Sequence, residues 1–353
     1  MLLMAIGLMA CASGQSKLGN ESEKMIEDDM STNATVEVTL ETNDTISTES
    51  EEIVEEVGKE SKEIMEETGY EIDEDNIVTE RVEIEGLQEE YELLFLTDTH
   101  IALESLENSD EVINYAMQRA PLFQDAEGIP SAELYPSWMD YAVKEELDGV
   151  LLGGDIIDFP SLANVFFLQE QHAKLNMPYI YALGNHDWTY PWDYMTELGR
   201  QEYLPMLEPM MNGNTAIQSC DYGEFIVVAV DNSSGQVNPA ALETYEKILQ
   251  QDKPVILMVH VPLLTESVLV KSREEWASDV VIGNEEAGGI QPNDATEEFI
   301  AMTTSSESPV ELVLAGHVHF YDKDYIQGDK DILQIVGDAG YKGIGMHLIV
   351  SGK

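Results

Sequence analysis

Basic side chains are scarce: 17 Lys and Arg stand against 69 Asp and Glu, a formal net charge of −52. Binding along a nucleic-acid backbone needs Lys and Arg to displace counterions, and anionic lipid makes the same demand, so both surfaces are excluded as binding partners. Cysteine is nearly absent. Cys11 and Cys220 are the only two, which leaves no room for an intramolecular disulfide framework. No later segment has the roughly 20 consecutive apolar residues that a bilayer-spanning helix needs, and no internal repeat is visible. Aromatics are almost missing from residues 12–90, where 26 acidic side chains meet 5 basic ones among many Ser, Thr and Asn. That composition buries too little apolar surface to offset the entropy of ordering, and it predicts a disordered acidic tether over residues 12–88. Within it, Ile53 to Met65 and Ile77 to Leu87 alternate acids with sparse Ile, Val and Leu, which reads as transient helix or an added edge strand.

The first ten residues are almost wholly apolar and lead into Leu8-Met9-Ala10-Cys11 and then Ala12-Ser13. This resembles the lipobox of a bacterial lipoprotein signal peptide, in which the cysteine becomes the lipidated mature N-terminus. It departs from that pattern in having no Lys or Arg ahead of the apolar run. The resemblance implies a signal over residues 1–11, lipid on Cys11, and attachment to the outer face of the bacterial cytoplasmic membrane. The competing reading is an apolar N-terminus that buries in the domain.

What the rest of the chain has is a set of five apolar runs, each ending at side chains able to bind metal. Leu93 to Leu96 precede Asp98 and His100, and Val150 to Leu152 precede Asp155. Tyr179 to Leu183 precede Asn185 and His186, Val255 to Val259 precede His260, and Leu312 to Ala315 precede His317 and His319. Short continuous apolar runs read as strands buried on both faces, and ligands bind beyond the carboxyl ends of such strands. The donors are therefore expected to converge at one sheet edge. Helical patterns such as Ala116 to Ala120, Ala163 to Leu175 and Ala240 to Leu249 alternate with the runs, giving an α/β architecture over residues 89–353. Three short runs after His319 look like an antiparallel tail, so the sheets should be mixed.

Read in order, the donor segments are Asp98-Thr99-His100, Gly154-Asp155-Ile156-Ile157-Asp158, Gly184-Asn185-His186-Asp187, His260 and Gly316-His317-Val318-His319. Here the chain resembles the calcineurin-like metallophosphoesterases, in all five family motifs. The resemblance implies a four-layer α-β-β-α sandwich of two mixed sheets with a dinuclear metal site at the strand ends. One metal would take Asp98, His100, Asp155 and His319, and the other Asp155, Asn185, His260 and His317. Two divalent cations about 3.5–4 Å apart repel, so a shared carboxylate is needed, and mixed imidazole and carboxylate ligands suit Mn, Fe or Zn. Water held between the ions would be the nucleophile. By the same resemblance His186 binds no metal and serves the leaving-group oxygen as proton donor or charge stabiliser, with Asp187 expected to orient it. Asp158 reads either as a hydrogen-bond partner of a ligand imidazole or as a helix N-cap. It stands where purple acid phosphatases have tyrosine, which disfavours a tyrosinate-bound ferric ion.

Other residues carry less. His172 is expected to be a partly exposed helical residue and His347 a packing or surface one. Trp188 to Tyr194 could stack on a substrate, though packing of the loop is the favoured reading, as it is for Met206, Met210 and Met211. A loop over Lys271 to Asn293 would overhang the site, with Lys271 and Arg273 in exposed ion pairs. Arg119, in the Tyr115 to Phe123 helical pattern, reads equally as a substrate contact and as a structural ion pair. The expected activity is hydrolysis of a small-molecule phosphoester, more often a diester, because a strongly anionic surface disfavours highly charged substrates. A phosphomonoesterase acting on nucleotides or proteins is the runner-up, and a non-catalytic surface binding lipoprotein the rival from another class.

Overall fold

Alternation across the apolar runs decides the layering. In the computed structural model, which describes residues 70–104, 109–189, 195–211, 213–278, 280–283 and 289–353, the runs are strands whose successive side chains enter different cores. One sheet has the order β1 (Ile77–Ile84), β11 (Gly345–Gly352), β2 (Tyr91–Leu96), β3 (Gly149–Leu152) and β4 (Tyr179–Tyr181). The other has the order β5 (Ile217–Asp221), β6 (Ile226–Val230), β7 (Val255–Met258), β8 (Val310–Ala315), β10 (Ile332–Val336) and β9 (Asp322–Ile326). Leu93, Phe95, Leu151 and Ile180 from the first sheet share a core with Val227, Ile256, Met258, Leu312 and Leu314 from the second. The sheets therefore face one another.

Intervening residues point outward under helices. Leu94, Leu96, Val150 and Leu152 pack with Trp138 and Met139 of a helix over Ser131–Lys144, Leu168 of one over Leu162–His172, and Leu207 of one over Glu197–Leu207. Val228, Leu257 and Val313 pack with Tyr245, Val268 and Phe299 of helices over Leu242–Leu249, Glu266–Trp276 and Asp294–Thr304. In chain order the helices are α1 (Asp110–Arg119), α2 (Ser131–Lys144), α3 (Leu162–His172), α4 (His186–Thr189), α5 (Glu197–Leu207), α6 (Leu242–Leu249), α7 (Glu266–Trp276) and α8 (Asp294–Thr304). Ser109, Ser161, Thr196, Thr265 and Asn293 cap α1, α3, α5, α7 and α8 by accepting a first-turn backbone N–H. The result is the expected α-β-β-α sandwich of two mixed sheets.

Three details differ from expectation. β1 is part of the domain: it pairs in parallel with β11 from Ile77↔Gly345 to Ile84↔Gly352, and Val82 and Ile84 are buried. The tether boundary at residue 88 is thus placed too late, because an acidic average hides a strand that buries alternate residues and turns Arg81 and Glu83 outward. The C-terminal strands are only partly antiparallel. β10 opposes β9 and β11 opposes β2, while β10 runs parallel to β8 and β11 parallel to β1. His172 is buried, with Nε2 2.7 Å from the Tyr135 hydroxyl, and burial pushes its pKa down to about 3. His347 is half-buried between the Tyr141 hydroxyl, 2.9 Å away, and Glu92. Cys11, the signal-like segment and residues 12–69 of the tether lie outside the described residues. No described helix is long and apolar enough to cross a membrane.

Candidate metal centre

All the predicted donors follow the carboxyl ends of strands, but from two sheets rather than one. β2, β3 and β4 lead to Asp98, His100, Asp155, Asn185 and His186, while β7 and β8 lead to His260, His317 and His319. The backbone there is unusual. Seven described non-glycine residues have positive φ, and five of them are Asp98, His100, Asp155, His317 and His319. Each such conformation costs about 1–3 kcal/mol and concentrates where function over-determines the chain. Close approach also demands glycine. A β-carbon on Gly184 would lie 2.0 Å from the Asp155 nitrogen, and one on Gly316 would lie 2.0 Å from the Thr97 hydroxyl and 2.5 Å from Asp98 Oδ2.

Three overlapping groups of donor atoms result, one of which, His100, Asp155 and His186, links the other two. Asp98, His100 and His319 converge in one, with His100 Nε2 3.0 Å from His319 Nε2 and His319 Nε2 3.3 Å from Asp98 Oδ1. Asp155, His260 and His317 converge in the other, with Asn185 Oδ1 3.2 Å from His260 Nε2. Asp155 Oδ2 lies between them, 3.1 Å from His260 Nε2 and 3.8 Å from His100 Nε2. The backbone N–H of His317 donates to Asp98, at 2.9 Å to Oδ2, while its ring belongs to the opposite group.

Partners behind the donors fix their tautomers. His100 Nδ1 faces Asp158 Oδ1 at 3.0 Å and His260 Nδ1 faces the Gly153 carbonyl at 2.9 Å, so each ring turns Nε2 inward, where the neutral form would offer its lone pair. Asn232, which sequence reading missed, accepts from the backbone N–H groups of His260 and Val261 through Oδ1, both at 3.0 Å. It follows β6, a sixth apolar run ending in polar residues, and that was the available signal.

Electrostatics fit bound cations. Burial pushes the His100 pKa down to about 4 and that of His317 to about 3, leaving both neutral and able to coordinate. Burial opposes ionisation of Asp98, yet the hydrogen bond and charge of His319 hold it at about 2. Asp155 is likewise held low against burial, by His260 and His186, and against its own burial His260 is pushed up to about 10 by Asp155. A proton shared by that pair stands where a cation would find the same ionised carboxylate and imidazole. Carboxylate and imidazole in two groups around one carboxylate are the donors that two divalent ions require.

Asp187 does something other than expected. Its carboxylate accepts from the backbone N–H groups of Gly184, Asp155 and Ile157 and from the Tyr181 hydroxyl, at 2.7–3.1 Å, so it ties the β3 and β4 loops together. His186 is positioned instead by Asp158, whose Oδ1 lies 3.0 Å from its Nδ1. Asp158 also takes both His100 and the Arg119 guanidinium, which closes on both carboxylate oxygens from α1. Arg119 thus belongs to the site's framework. Trp188 is buried, donating to the Ser233 hydroxyl at 2.9 Å beneath the Arg200 guanidinium, and Met210 and Met211 are core. Residues 190–194 lie outside the described residues. The expected loop at Lys271 begins inside α7, where Lys271 pairs with Asp322, and of it residues 279 and 284–288 are not described.

A family model for calcineurin-like phosphoesterases matches residues 91–321. Among solved structures, a dimetal phosphatase from Danio rerio is similar at 13% identity, covering 71% of this chain and 88% of that one with a TM-score of 0.43. A Streptococcus pneumoniae protein described as a predicted phosphoesterase is similar at 10% identity, covering 71% and 74%, with a TM-score of 0.28. No curated protein matches. Because the family match runs over well more than half of the chain, from β2 past the last of the donors, this protein belongs to the calcineurin-like phosphoesterases, metal-dependent hydrolases of phosphoesters.

Proposed function

We propose that this enzyme prefers phosphodiesters and works outside the cytoplasm, held to the membrane through lipid on Cys11. The observation that carries the chemistry is the Asp98, His100 and His319 group and the Asp155, His260 and His317 group, with Asp155 Oδ2 reaching from His260 to His100 and His186 beside them. Bound there, divalent ions supply Lewis acidity toward phosphoryl oxygens and lower the pKa of water toward about 7. The chain's own part is positioning. Asp158, buried and ionised by His186, Arg119 and His100 despite the cost of burial, keeps His186 oriented through Nδ1. Against burial, the charges of Asp155 and Asp158 push the His186 pKa upward, in the direction a proton donor to the leaving oxygen requires.

The net charge of −52 supports the diester preference, since a diester carries one phosphoryl charge and a monoester up to two. Bis(4-nitrophenyl) phosphate and 4-nitrophenyl phosphate, assayed with Mn, Zn and Fe, test it. A higher kcat/KM on the diester is expected. The reverse order would replace the diester reading with the monoester one, and no hydrolysis of any ester by metal-loaded protein would favour a binding lipoprotein.

Anchoring is supported by Leu8 to Cys11 and by the acidic segment after it. One acyl chain binds membranes only marginally, so stable attachment implies a multiply acylated cysteine. Cys11→Ser should move the protein from the membrane fraction to the medium or leave an unprocessed precursor. Wild-type protein found soluble in the cytoplasm would overturn the localisation and leave the chemistry untouched.

A further inference from the structure

The metal centre is sealed on one side and open on the other. Side chains of Asp98, His100, Asp155 and His260 are at most 2% exposed, whereas His186 and His319 reach 10% and 14%. His317 is half-buried too, so a substrate approaches past His186, His317 and His319.

Two half-buried rings stand at that opening. Trp276, at the end of α7, meets the His319 imidazole at 5.2 Å between centroids and 81° between planes, and Tyr341 meets it at 5.5 Å and 77°. Among the described ring contacts they touch His319 and not each other, so the imidazole separates two aromatic walls. Both are fixed from behind. The Trp276 indole N–H donates to the Val318 carbonyl at 2.8 Å, and the Tyr341 backbone N–H donates to the Asp98 carbonyl at 3.2 Å. Behind Tyr341 lies Phe123, 5.3 Å away and stacked on His100 at 4.3 Å.

Packing alone accounts for Phe123, which is buried. It does not account for Trp276 and Tyr341, which keep part of their surface in solvent beside the opening, or for the Tyr341 hydroxyl, which hydrogen-bonds to no described residue. Charge is not what this rim offers. Lys342, the neighbouring cation, is shared between the His319 carbonyl and Asp338. Whatever extends from a phosphoryl group on the metals toward His319 meets π-surface, which rewards a flat, polarisable and uncharged group.

We propose that Trp276 and Tyr341 form a subsite for a planar aromatic group carried by the phosphoester, a nucleobase or an aryl ring. The proposal rests on the metal centre holding the phosphoryl group. Trp276 lies within the stretch matched by the family model and Tyr341 beyond it, so the C-terminal segment supplies one of the two walls.

Calorimetric binding of phenylphosphonate and cyclohexylphosphonate to the full-length, metal-loaded protein separates the alternatives, because the two share charge and ring size and differ in flatness. Phenylphosphonate should bind about tenfold more tightly. Trp276→Leu and Tyr341→Leu, checked for metal content and unfolding midpoint, should each reduce that ratio to about twofold, and Tyr341→Phe should keep most of it. Equal affinities in the wild-type protein, or a ratio that survives both leucine variants, would overturn the subsite. If a leucine variant fails to fold, the wild-type ratio decides. Adenosine and ribose 5′-phosphonates make a second pair: preference for the former assigns a nucleotide, and preference confined to phenyl assigns an aryl ester. Binding is read without turnover, so aromatic preference without hydrolysis counts against the enzymatic reading, and hydrolysis without aromatic preference counts against this one.

Discussion

Asp155→Ala is expected to lose metal from both groups and to lower turnover on the order of 10³-fold or more, because several kcal/mol of transition-state stabilisation go with the ions. Its Oδ2 stands between His260 and His100, and among the described residues no other carboxylate forms an ion pair with both. Without it, two cations would face each other across neutral imidazoles with no anion between them. Its Oδ1 also accepts the His186 backbone N–H at 2.7 Å, so the alanine frees the proton donor's backbone as well. Asp155→Asn restores that acceptor without the charge. If charge is what matters, asparagine should fail nearly as completely as alanine. Elemental analysis after gel filtration, read beside hydrolysis rates, checks both. Two metals per chain with near-normal turnover in either variant would dismiss the shared-carboxylate arrangement.

His186→Gln should behave in the opposite way, keeping its metals and losing rate. Proton donation to a leaving group is worth about 10²–10⁴-fold, and the loss should fall on alkyl esters far more than on nitrophenyl esters, whose leaving groups need little protonation. A uniform loss across both classes would assign His186 to binding instead. Asp187→Asn sharpens the contrast. Since Asp187 holds backbone amides of the β3 and β4 loops rather than the His186 ring, its replacement should lower thermal stability and leave the dependence on leaving group unchanged.

The side chains singled out in the sequence come together in the fold because each one ends an apolar run, a signal that is local and doubly marked. It could not divide the runs between two sheets, since a strand buried on both faces looks the same in either. The role given to Asp187 rested on adjacency to His186, but consecutive residues at the start of α4 point about 100° apart, and only one of them can face Asp158. Arg119, Trp276 and Tyr341 reach the centre from α1, α7 and the turn before β11, far from any motif, and nothing periodic marks them. An added edge strand was one of two readings for Ile77 to Leu87, but the acidic average kept β1 on the tether side of the boundary. A window of acids conceals two buried aliphatic residues at alternate positions, which is all an edge strand needs.

The pairing of β1 with β11 also fixes where the chain comes and goes. β11 runs antiparallel to β2, with Met346 opposite Phe95 at the end that bears the metal centre, and β1 lies parallel to it with Ile77 beside Gly345. Residues 70–76 therefore join the domain at the metal end, where the Asn76 side chain donates to the Gly343 carbonyl two residues past Tyr341. Gly352 leaves beside Ile84 at the far end. A protein trimmed to Tyr70 and coupled to a solid support through that residue would turn its reactive end toward the support, and one coupled through Lys353 would turn it toward the liquid. The same enzyme would then show different access to bulky esters according to which end was held.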